Sequence, residues 1–73
     1  MIISRRKSCN LKKGTVLERN CGIIILTSDY DAFYNGYDYH DMDINDDGDI
    51  VELDTGGTVT VFDIIGSKVV AEG

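Results

Sequence analysis

The chain has 73 residues and a net charge of −6, with 13 acidic side chains against 7 Lys and Arg. That length allows one domain with a thin core, because a chain this short buries only about 60% of its unfolded surface. The longest apolar run, Ile23 to Leu26, is far too short to span a bilayer, so no membrane-spanning helix is expected.

The first segment is basic. Met1 to Arg19 carries Arg5, Arg6, Lys7, Lys12, Lys13 and Arg19 against a single acid, Glu18. We expect residues 1–13 to form a basic N-terminal arm, flexible or docked, and residues 14–73 to form one small β domain. Met1 to Ser4 runs straight into Arg5-Arg6-Lys7 and leaves no room for the apolar stretch of a secretory signal. The default expectation is therefore a cytoplasmic protein with Cys9 and Cys21 as free thiols, the alternative being one disulfide after export.

Glycines and β-branched runs then alternate, without a single proline. This pattern predicts five or six short antiparallel strands. Thr15 to Arg19 and Ile23 to Ser28 read as a hairpin around Asn20-Cys21-Gly22. Ile23-Ile24-Ile25-Leu26 is apolar on both faces and should be a central buried strand. Asp29 to Asn35 is expected as a loop or one helical turn, and Asn35-Gly36 is a turn signal.

Tyr37 to Ile44 should be a strand with a bulge near His40 or Asp41. Without it, Tyr37 and Tyr39 face one way while Met42 and Ile44 face the other. Asp46-Asp47-Gly48 turns the chain. Ile50 to Leu53 follows as a strand, Asp54 to Gly57 as a turn, Thr58 to Phe62 as an alternating strand and Lys68 to Ala71 as the last. The expected fold is mostly β, a small antiparallel barrel or β-roll of the SH3-like or OB-like kind.

Asn20 to Ser67 holds eleven acids and no Lys or Arg. Within it, Asp38, Asp41, Asp43, Asp46, Asp47 and Asp49 are interleaved with or follow Tyr37 and Tyr39. On a strand, Asp41 and Asp43 point the same way about 6.6 Å apart. Two steps along one DNA strand advance roughly 6.8 Å. These eight residues are the candidate surface for another protein with a basic site, tyrosines supplying stacking area and hydrogen bonds. In charge and size the chain resembles DNA-mimicking inhibitor proteins, many of them small and phage-encoded. The resemblance implies a non-enzymatic inhibitor that competes with nucleic acid for a protein partner.

Asp43-Ile44-Asn45-Asp46-Asp47-Gly48-Asp49-Ile50-Val51-Glu52-Leu53-Asp54 resembles the calcium loop of EF-hand and dockerin proteins. The resemblance implies side-chain ligands from Asp43, Asn45, Asp47 and Asp54 and a backbone carbonyl from Asp49. The last position holds Asp where the family uses Glu, and Asp54-Thr55-Gly56-Gly57 stops an exiting helix. The competing reading is a plain β-hairpin turning at Asp46-Asp47-Gly48-Asp49, with no cofactor.

Other motifs carry less. Direct nucleic-acid binding by the basic arm is opposed by the acidic segment. Leu53-Asp54-Thr55-Gly56 resembles the catalytic motif of retroviral-type aspartic proteases, but the chain is too short for a half-site with its flap. His40 is a candidate pH sensor or an ordinary surface histidine. A homo-oligomer or a small structural subunit of a larger assembly would relieve the thin core.

Overall fold

A computed structural model describes residues 1–73. Five strands form a single antiparallel sheet: β1 (Val16–Arg19), β2 (Gly22–Leu26), β3 (Gly36–Ile44), β4 (Ile50–Thr60) and β5 (Lys68–Ala71). Their order across the sheet is β4-β3-β2-β1-β5. No ladder joins β4 to β5, so the sheet is open rather than closed into a barrel. One short helix, α1 (Val61–Ile64), follows β4.

The expected first hairpin forms, with Arg19 paired to Gly22 across the Asn20-Cys21 turn. β2 takes the central position that its apolar run predicts. Leu17, Ile24, Leu26, Tyr37 and Val59 point to one face and are buried there. Ile3, Val61 and Ile64 close over them. The N-terminal arm is therefore docked through its apolar residues, with Ile3 and Ser8 buried while Arg5, Arg6 and Lys7 stay exposed. The Met1–Ile3 stretch also lines the β5 edge, where Val69 N donates to the Met1 carbonyl at 2.7 Å and Ile3 N to the Ser67 carbonyl at 2.8 Å.

The opposite face has no such cover. Val16, Ile23, Ile25 and Met42 lie there half-buried, and Ile44 and Ile50 lie there exposed. This corrects the expectation that a bulge would bring Met42 and Ile44 to the tyrosine face. β3 pairs with β2 without a slip from Tyr39 to Met42. The extra residues sit in β4 instead: His40 pairs with Gly56 and Met42 with Glu52, leaving Leu53, Asp54 and Thr55 opposite Asp41.

The expected turn at Asp54 to Gly57 is also corrected. β4 runs unbroken through Gly56 and Gly57, and Gly56 serves close approach between strands rather than a change of direction. A Cβ on Gly56 would collide with the Tyr39 carbonyl, and one on Gly57 would reach within 3.9 Å of the Tyr39 ring. The strand then ends earlier than Phe62. The Asp63 carboxylate accepts from both the amide and the hydroxyl of Thr60 at 3.2 Å, which turns Val61 onward into α1.

The acidic β3–β4 arm as a candidate interaction site

β2 pairs with β3 no further than Met42. Beyond that point β3 and β4 continue alone as a two-stranded arm, turning at Asn45 to Asp49. The turn is built by Asn45: its amide donates to the Asp49 carbonyl at 2.9 Å, and its Oδ1 accepts from the amides of Asp47 and Asp49 at 3.0 and 2.9 Å. Gly48 takes φ = +84°, a conformation that favours glycine. Every residue from Asp43 to Thr58 is exposed.

The nominated partner residues do not share one surface. Tyr37 lies in the core with no exposed area, so it cannot meet a partner. Its hydroxyl donates to the Ser8 carbonyl and accepts from the Leu11 amide at 3.2 Å, tying the N-terminal arm to the sheet. Burial holds that hydroxyl above its ordinary value of 10.0, with Cys9 and Tyr30 adding to the effect against the Leu11 bond. Tyr39 is half-buried and packs against the core. Asp38 accepts from the Tyr34 hydroxyl at 3.1 Å on the body of the sheet. Asp41 is half-buried and accepts from Thr55 Oγ1 at 3.1 Å.

Asp43, Asp46, Asp47 and Asp49 stand on the arm itself, joined there by Glu52 and Asp54. The carboxylates of Asp46, Asp47, Asp49 and Asp54 accept no hydrogen bond from the protein, and Asp43 accepts only from its neighbour Ile44 at 2.8 Å. The one contact between a carboxylate and a basic side chain is His40 Nδ1 with Glu52 Oε1 at 2.7 Å. No Lys or Arg reaches a carboxylate, so the basic arm does not neutralise the acidic one.

The residues of the calcium-loop resemblance lie on the two strands and the turn of this hairpin. No three His, Cys, Asp or Glu side chains converge anywhere in the molecule. Asn45 spends its Oδ1 on the turn. Asp43 pairs with Val51, and Asp54 lies further along β4, in the bulge opposite Asp41. The Asp-Gly segment forms the hairpin turn between β3 and β4. Cys9 and Cys21 are exposed free thiols.

The arm also exposes four apolar side chains that the sequence reading passed over: Ile44, Ile50, Val51 and Leu53. A signal for them was present. Apolar neighbours at successive strand positions, as at Ile50-Val51, place one side chain on each face, and only a layered core can bury both.

No family model, no curated protein and no solved structure matches this chain. No helix is long and apolar enough to cross a membrane.

Proposed function

We propose that the protein is a non-enzymatic binding or inhibitor protein whose β3–β4 arm engages a basic site on another protein, in the manner of a DNA mimic. The observation that supports this most is the unneutralised arm: Asp43, Asp46, Asp47, Asp49, Glu52 and Asp54 are all exposed, and none meets a Lys or Arg. An exposed row of like charges repels itself and gains from a complementary surface, which speeds encounter and selects the partner by charge. The arm is narrow and stands clear of the core, a shape suited to a groove that otherwise receives a phosphate backbone. A basic protein site is the occupant, including one that binds nucleic acid.

The test is capture of partners by the immobilised protein at low and high salt, with nucleic acid as competitor. The expected result is a partner lost as salt rises and displaced by DNA or RNA. Absence of any salt-sensitive partner overturns the proposal.

A further inference from the structure

The two edges of the sheet differ. The β5 edge is lined by the Met1–Ile3 stretch, through the bonds to Ser67 and Val69 and a third from Gly66 N to the Ile3 carbonyl at 2.9 Å. The β4 edge has nothing beside it. β4 pairs only with β3, and no backbone hydrogen bond outside that ladder reaches Ile50–Thr60. It is the longest strand, 11 residues, and all but Val59 are exposed. An exposed strand edge is a row of unpaired N–H and C=O groups, a template for a further strand. β4 carries no Lys or Pro. Its guards are the acids Glu52 and Asp54, which repel an acidic strand but not a basic one, and the bulge at Leu53–Thr55, which divides the edge into Ile50–Glu52 and Gly56–Thr60.

We infer that the β4 edge receives an extended, Lys- or Arg-rich segment of the partner, added to the sheet as a sixth strand. This rests on the acidic-arm reading and specifies how that arm is used. Backbone hydrogen bonds supply the docking, and alternate side chains supply selectivity. Glu52 and Asp54 would flank the incoming strand directly, with Asp41 and Asp43 one strand further in. Ile50 lies on one face of the arm and Val51 on the other, so apolar residues of the segment find cover on either side. Charge also decides against a second copy as the occupant. Two β4 edges laid together would set two acidic arms side by side, and like charges on adjacent strands destabilise pairing.

The experiment uses the full chain, labelled with ¹⁵N, and a short synthetic peptide alternating Lys and Val. A control peptide is N-methylated at every peptide bond, which keeps its charge and removes its donors. A second control alternates Lys and Ser. The Lys-Val peptide is expected to slow amide exchange within Ile50–Thr60 and to bind at least about tenfold more tightly than the N-methylated form. Glu52→Lys with Asp54→Lys is expected to weaken it by at least about tenfold, and the exchange pattern of the unbound variant shows that it is folded.

Equal binding of the N-methylated peptide overturns the inference but leaves the acidic-arm reading standing. So does slowed exchange confined to the Asn45–Asp49 turn. A dimer whose β4 amides are protected without peptide overturns the choice of occupant. Failure of all three peptides to bind, even at low salt, overturns both readings.

Discussion

The arm and the body of this sheet are made from the same two strands and obey opposite rules. Where β3 and β4 cross the body, Tyr37 and Val59 face each other in the core and Gly36 and Gly56 let the backbones close up. Beyond Met42 the same ladder has no core behind it, and its side chains are carboxylates and uncovered aliphatics. In the body, burial dictates residue type; on the arm, folding makes few demands. On our proposal, a charged, apolar-studded arm that contributes little to the core serves recognition. That contrast predicts large stability effects with no binding effect on one side, and the reverse on the other.

The largest effect belongs to the core. Leu17→Ala or Leu26→Ala, at two fully buried positions, should cost about 2–5 kcal/mol in denaturant unfolding, enough to threaten so small a domain. Tyr37→Phe should cost about 1–3 kcal/mol, because it leaves the Ser8 carbonyl and Leu11 amide without their partner.

Tyr37 also sets an alkaline limit. Its folded-state value lies above the ordinary 10.0, so the native state holds the proton more tightly than the unfolded chain. The stability it contributes is complete below pH 10.0 and falls as pH climbs through the raised value. A pH series of melting curves should show this fall in the parent and a shallower one in Tyr37→Phe.

Smaller effects belong to the arm. His40→Ala removes a pair whose partners are 41% and 49% exposed, and should change stability by only about 0–1 kcal/mol, less at high salt. Asp54→Ala should move it by no more than about 0.5 kcal/mol, with or without calcium, since Asp54 holds no contact that folding uses. A calcium-dependent shift in melting temperature, lost in Asp54→Ala, would break the hairpin reading of this turn.

Much of the body was legible in the sequence because local rules and burial agree there. The Ile23 to Leu26 run announced its central place, and Asn35-Gly36 announced its turn, where Asn35 takes φ = +57°. The arm was legible only as charge. Gly56-Gly57 looks like a turn to any local rule, and only the Tyr39 carbonyl across the ladder explains why it is strand. Tyr37 looked like surface because acids flank it; strand alternation turns it inward and leaves Asp38 outside. Its bond to Ser8, 29 residues away, has no local signature. The open sheet edge was likewise invisible, since strand order is set by pairings far apart in the chain.

The central claim is that the arm's charge serves a partner and not the fold. The most direct measurement pairs thermal unfolding with salt-dependent partner capture for Asp43→Asn, Asp46→Asn, Asp47→Asn and Asp49→Asn combined. These changes keep side-chain size and remove the charge. We expect a melting temperature equal to the parent's or higher, because like-charge repulsion is relieved, together with loss of the salt-sensitive partner. Undiminished capture by a folded variant, or unfolding of the variant with the partner unaffected by charge, would contradict the account.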